Sequence, residues 1–240
     1  MLNKNDYAIY LRNIKNNHTK LEIVTDLGEI QNFENDTGKQ IGMVSNMPFY
    51  DIYFDLVRPK GGSGGREFCY AHLRYPGKGG AAALVSVTSL ADEKTYFVLL
   101  KNERFTMDNR TLIEIPRGFK DYSDKDTRET IVRELFEETG LSVGRMQTVV
   151  RFFGSVSPDS GICNNEADIY CIEITTPEKI TDIICRPEDE NEGINGYLFY
   201  TEEELYRLIL ENKIIDSFTH SAVLRYLLSK QVSARSKNNP

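Results

Sequence analysis

No apolar run in this 240-residue chain approaches the roughly 20 residues needed to span a bilayer. The N-terminus also lacks the basic-then-apolar order of a secretory signal, so the expected location is cytoplasmic. Cysteine is sparse. Cys69, Cys163, Cys171 and Cys185 are scattered without a CxxC pair, each in or near a strand-like stretch, which reads as reduced thiols and argues against zinc. The three histidines, His18, His72 and His220, are dispersed too, and no Ser/His/Asp or His/Cys constellation suggests nucleophilic catalysis. A net charge of −7 argues against a general attraction to nucleic acid and favours small substrates over polymers. Gly61 to Gly65 form a glycine-rich run without the lysine and following helix of a phosphate loop, so they read as a hairpin tip.

What remains is an ordinary globular composition, 40% hydrophobic and 27% charged, in a chain long enough for one core domain and a smaller appendage. The first part alternates short apolar and polar stretches. Phe49 to Val57 and Arg66 to Leu73 read as paired strands flanking the glycine run, and residues 1–80 are expected to be a β-rich region. From Ala81 the pattern is denser. Strand-like runs cover Ala81 to Val87, Tyr96 to Leu100, Leu112 to Ile115, Thr148 to Phe153, Ala167 to Ile174 and Tyr197 to Tyr200. Leu205, Leu208 and Ile209 mark a helix capped by Thr201 with Glu204, and Ser217 to Ser229 mark another. The expected division is residues 1–80, 81–230 and a disordered polar tail over 231–240.

One segment carries most of the chemistry. Residues 133 to 141 read Arg-Glu-Leu-Phe-Glu-Glu-Thr-Gly-Leu. On a helix Glu134 and Glu138 stand i and i+4, about 5–6 Å apart on one face, with Glu137 beside them. Like charges so close destabilise an isolated helix, and a divalent cation with a taste for hard oxygen ligands, Mg²⁺ or Mn²⁺, would screen them. Gly140 followed by Leu141 reads as a left-handed helix stop, and Asp126 or Thr127 as the cap at the other end. Taken alone, such a window describes a solvated helical face. The preceding strand and loop, Thr111 to Phe119 with Ile115-Pro116-Arg117-Gly118, change that reading.

A strand, a glycine-bearing loop, an acidic helix and a glycine stop together resemble the Nudix box: Gly, five residues, Glu, seven residues, Arg-Glu, an aliphatic residue, any residue, Glu-Glu, any residue, Gly, an aliphatic residue. Arg133 to Leu141 match its second half at every specified position. The first half carries one extra residue: counting forward from Gly118 places Asp124 at the first acid, and counting back from Arg133 places Lys125 there. The resemblance implies an α/β/α sandwich with a mixed sheet, a small N-terminal β-rich region, and metal-dependent hydrolysis of a pyrophosphate linkage. It makes Glu134, Glu137 and Glu138 metal ligands, joined by the backbone carbonyl of Arg117, and gives Arg133 the part of supporting the acids.

Three further segments resemble the ADP-ribose pyrophosphatase-like branch. Asn102-Glu103-Arg104-Phe105 is similar to a segment whose arginine contacts substrate phosphate, and Ser157-Pro158-Asp159-Ser160-Gly161 to a proline-containing substrate loop. Glu188 to Ile194 occupies the place of an acidic loop that closes over the site, where Glu190 aligns with the general base and Glu192 with a further metal-binding acid. Glu166, just after the Pro158 loop, is the reserve candidate for the base. The branch implies ADP-ribose as the leading substrate, and its N-terminal β domain implies a homodimer. Other nucleotides (a sugar nucleotide, a dinucleoside polyphosphate, capped RNA) and a nucleotide-sensing module without activity are the competing readings.

Overall fold

The computed structural model describes residues 21–46, 50–61, 66–75, 79–143, 146–183, 185–187 and 193–238. These fall into two compact units, one within Met1–Gly77 and Asp159–Asn165, the other within Lys78–Pro158 and Glu166–Pro240. The short 159–165 segment thus belongs with the N-terminal unit although it follows far later in the chain.

The N-terminal unit is a four-stranded antiparallel sheet built on β3 (Asp51–Pro59), which pairs with β1 (Leu21–Ile23), β2 (Gly42–Asn46) and β4 (Phe68–Arg74). The β3–β4 pairing bears out the expected hairpin; residues 62–65, its glycine tip, lie outside the described residues. One element departs from the β-rich reading. Residues Leu27–Thr37 form helix α1, because Asp26 accepts a hydrogen bond from Glu29 N and Gly38 takes up a left-handed φ of 68° that ends it. Its Ile30 packs with Val24, Ile41 and Leu56 in a small core of its own.

The second unit is built on a seven-stranded sheet in the order β11-β6-β5-β10-β9, with β7 added to β6 and β8 to β5. The strands are β5 (Gly80–Ser89), β6 (Lys94–Arg104), β7 (Arg110–Glu114), β8 (Arg117–Phe119), β9 (Gln147–Val156), β10 (Ala167–Thr176) and β11 (Ile194–Tyr200). β5 and β10 run parallel and the other pairs antiparallel, so the sheet is mixed. The near-continuous apolar run of β5 follows from burial on both faces. Ala81, Ala83, Val85 and Val87 pack toward helix α2 (Thr127–Thr139) through Ile131 and Leu135, whereas Ala82 and Leu84 pack toward helices α3 (Glu202–Leu210) and α4 (Ser217–Asn238) through Leu205, Phe218 and Ala222. This is the α/β/α sandwich expected from the sequence.

Local signals hold where they were expected. Thr201 and Glu204 form a complete capping box on α3, and Asp126 caps α2 by accepting from Arg128 N and Glu129 N at 3.0 and 2.9 Å. α4 runs past Ser229 to Asn238, so most of the stretch read as a disordered tail is helical.

Candidate active site

α2 is held at a fixed depth by its two ends. Asp126 caps the start, and at Gly140, with φ of 73°, the chain turns left-handed and returns its N–H to Phe136 O, sending Leu141 into the core. Ile131 and Leu135, both fully buried, anchor one face to the sheet. The same inward side of the helix, at i+3 and i+7 from Ile131, then delivers Glu134 and Glu138, which are 8% and 3% exposed, to β8.

Both carboxylates meet the same dipeptide. Glu138 Oε2 accepts the backbone N–H of Arg117 at 3.0 Å. A β-carbon on Gly118 would stand 2.0 Å from Glu134 Cδ and 2.1 and 2.2 Å from its oxygens, so only glycine leaves that carboxylate room against β8. The approach is tight behind the strand as well: a β-carbon on Gly80 would lie 2.2 Å from Gly118 O. Two buried hard-oxygen donors on one stretch of backbone, with side-chain volume removed between them, suit Mg²⁺ or Mn²⁺.

Glu137 takes a different direction. Arg133 Nη1 donates to Glu134 Oε1 at 2.8 Å and to Glu137 Oε2 at 2.6 Å, so a guanidinium stands between these two acids. Its other edge donates to Asp124, Nη2 to Oδ2 at 2.9 Å and Nε to Oδ1 at 3.3 Å, and Nη2 also reaches Phe119 O at 2.9 Å. Among the described residues no three His, Cys, Asp or Glu side chains already form a metal cage. Arg133 thus relieves part of the like-charge repulsion that a divalent cation is expected to screen. Desolvation works against the Arg133 charge, but hydrogen bonds to Asp124 and the charge of Glu134 outweigh it and hold its pKa above the usual arginine value.

The same contacts fix the register of the first half of the box. Asp124 is 7% exposed, accepts Asp121 N at 3.0 Å, and is held below the usual carboxylate range chiefly by its hydrogen bonds to Arg133. Lys125 is exposed and pairs with Glu129. Counting forward from Gly118 is therefore the structural register, and the extra residue falls between Asp124 and Arg133.

Arg104, from the end of β6, lies in a second polar cluster that the sequence did not announce. Its guanidinium is paired with Glu114 of β7, which also accepts from Arg117 Nη2 at 3.1 Å. Arg117 Nη2 is 3.5 Å from Asp216 Oδ1, and its guanidinium lies 4.7 Å over the ring of Phe218. Arg117 thus has a side-chain role besides the backbone position expected of it. Pro158 ends its stretch of the second unit, and among the described residues no hydrogen bond joins it to the acids. Glu190 and Glu192 lie outside the described residues. The cysteines are free, and burial pushes the thiols of Cys171 and Cys185 up to about 11.

A mixed-sheet sandwich that presents a glycine-flanked acidic helix in this way defines a class, and the comparisons agree with it. Residues 81–220 match the NUDIX domain, more than half of the chain, and the chain belongs to the Nudix family. It is a Nudix pyrophosphohydrolase similar to the ADP-ribose pyrophosphatase branch. The ADP-ribose pyrophosphatase of Bacillus subtilis (strain 168) is 26% identical over 183 residues, 75% of this chain and 86% of that protein. The methanol dehydrogenase activator of Bacillus methanolicus is 28% identical over 170 residues, 70% of this chain and 80% of that one. A crystal structure of an ADP compounds hydrolase shares the fold with a TM-score of 0.55 at 14% identity, covering 92% of this chain and 100% of that one. Nudix hydrolases generally use divalent metals such as Mg²⁺. No helix of the described residues is long and apolar enough to cross a membrane.

Proposed function

We propose that this chain hydrolyses the pyrophosphate linkage of a nucleoside diphosphate joined to a sugar or sugar phosphate, with ADP-ribose the leading substrate and AMP and ribose 5-phosphate the products. The observation that carries this reading is the seating of Glu134 and Glu138 on one dipeptide, Arg117-Gly118. The Bacillus subtilis relative supports the choice of ADP-ribose.

In this reading Glu134 and Glu138, with Glu137 beside them, the backbone carbonyl of Arg117 and Glu192 from the acidic loop, hold Mg²⁺ or Mn²⁺. A divalent cation held by these groups neutralises phosphate charge and lowers the pKa of a bound water. The chain's own side chains do the rest. Arg133 keeps Glu134 and Glu137 in place, Arg104 meets a substrate phosphate, and the loop carrying Pro158 lies against the substrate. Glu190 takes the proton of the attacking water when its loop is closed. Two copies pair through the N-terminal unit, whose strand β4 exposes Phe68 and Tyr70.

The test is a panel of ADP-ribose, GDP-mannose, diadenosine polyphosphates and nucleoside triphosphates incubated with purified protein and Mg²⁺, with the products resolved. Release of AMP and ribose 5-phosphate from ADP-ribose in preference to the others is expected. A clear preference for a triphosphate would reject the substrate reading, and tight nucleotide binding without any turnover would support a sensing module instead.

A further inference from the structure

The acids of α2 account for only part of the buried charge in the second unit. A separate buried cluster centres on Glu114, which is 1% exposed. A carboxylate so deeply buried is costly unless it is paired and hydrogen-bonded. Glu114 satisfies the condition with guanidinium groups: Arg104 Nε lies 3.0 Å from Oε1 and 3.1 Å from Oε2, Arg104 Nη2 also donates to Oε2, and Arg117 Nη2 donates to Oε2 at 3.1 Å.

Glu114 is itself unable to swing away. Arg117, the second guanidinium on Oε2, is stacked over Phe218 and reaches Asp216. Asp216 is fixed at the start of α4 by Thr219 N at 2.8 Å and Thr219 Oγ1 at 2.7 Å, and that hydroxyl accepts the N–H of Ile115, the residue next to Glu114, at 3.1 Å. The fork of Arg104 is therefore gripped along its Nε–Nη2 edge by a rigid partner. Nη1 has no hydrogen-bond acceptor among the described residues. A guanidinium held this way has lost its rotamer freedom before any ligand arrives, and its unused edge points in one fixed direction. The same Arg117 donates its backbone N–H to Glu138, so the grip on Arg104 and the seat of the helical acids share one residue.

We infer that Glu114 is a positioning residue that presets the guanidinium of Arg104 to take a substrate phosphate oxygen on its Nη1 edge. This rests on the reading above, in which Arg104 meets substrate phosphate. It adds that affinity for the phosphate depends on a residue that touches no ligand.

A double-mutant cycle on ADP-ribose hydrolysis tests it. E114Q, close in shape but without the charge, should raise KM about tenfold while kcat falls by less. R104A should raise KM further, and E114Q on top of R104A should add nothing, because the positioned group is gone. A KM for E114Q within about twofold of the unaltered protein, or effects of E114Q and R104A that multiply in the double variant, would overturn the inference. If E114Q does not fold, ¹⁵N relaxation of the Arg104 Nε–H in the unaltered protein decides: order equal to the β6 backbone supports the grip, and fast disorder refutes it. Failure of the unaltered protein to cleave ADP-ribose would count against the substrate reading, and the Nε measurement would still decide the grip.

Discussion

The carboxylate of Glu134 occupies the space that a side chain on Gly118 would need, with a β-carbon there placed 2.0 Å from Glu134 Cδ. Only the end of a flexible side chain stands in the way, so Gly118→Ala is expected to leave the fold intact and displace the carboxylate. A shift of about 1 Å in a reacting group can cost about a hundredfold in rate. Circular dichroism should therefore report an unchanged fold while metal-dependent turnover falls by about that factor. Near-normal turnover in G118A would show that the position of Glu134 is not critical.

Arg133 joins Asp124, Glu134 and Glu137, and Lys offers no planar fork with which to do so. Arg133→Lys should lower turnover and destabilise the protein by about 1–3 kcal/mol, discounted from the cost of breaking a fully buried pair because Arg133 is partly exposed. Urea unfolding measures it. A variant as stable and as active as the unaltered protein would remove Arg133 from the support of the acids.

The Asp124–Arg133 pair should also be visible in acid. Hydrogen bonds from Arg133 hold the Asp124 carboxyl below its usual range, so the unfolded chain takes up this proton first as pH falls. Its contribution is complete above the ordinary aspartate pKa of about 3.9 and is lost as pH drops through the lower folded value. Stability measured by urea between about pH 6 and 2 should thus fall less steeply in Asp124→Asn. An identical slope in both proteins would contradict the assignment.

If β4 helps pair two chains, Phe68 and Tyr70 lie in the interface, at 42% and 37% exposure in the single chain. Light scattering should give twice the monomer mass at micromolar concentration, and Phe68→Asp with Tyr70→Asp should shift it toward the monomer. A monomer across that range in the unaltered protein would count against pairing.

The sequence disclosed the acidic helix well because its signals are local: a cap, a glycine stop and carboxylates at helical spacing all lie within Asp126 to Leu141. The strands of the second unit were legible for a similar reason, being dense apolar runs buried on both faces. Asp124 was not separable from Lys125, since only burial and the contact with Arg133 distinguish them. Glu114 and Asp216 gave no signal: Arg117 is only three residues from Glu114, but its contact with Asp216 spans a long stretch of chain that no local pattern encodes. Helix α1 had its signals, Asp26 and Gly38, but Ile30 is its one buried residue, so no apolar stripe marked it as helical. The place of residues 159–165 in the N-terminal unit depends on tertiary contacts such as the Leu73–Cys163 bridge, which no turn pattern encodes.

Whether Glu134 and Glu138 hold the divalent cation on which hydrolysis depends is decided by Mn²⁺ binding, followed by electron paramagnetic resonance, alongside Mg²⁺-dependent turnover. E134Q combined with E138Q should keep the fold, since Gln retains the shape, while losing Mn²⁺ affinity and turnover by at least about a hundredfold. Turnover at the unaltered rate under saturating Mg²⁺ in that double variant would show that the cation is held elsewhere.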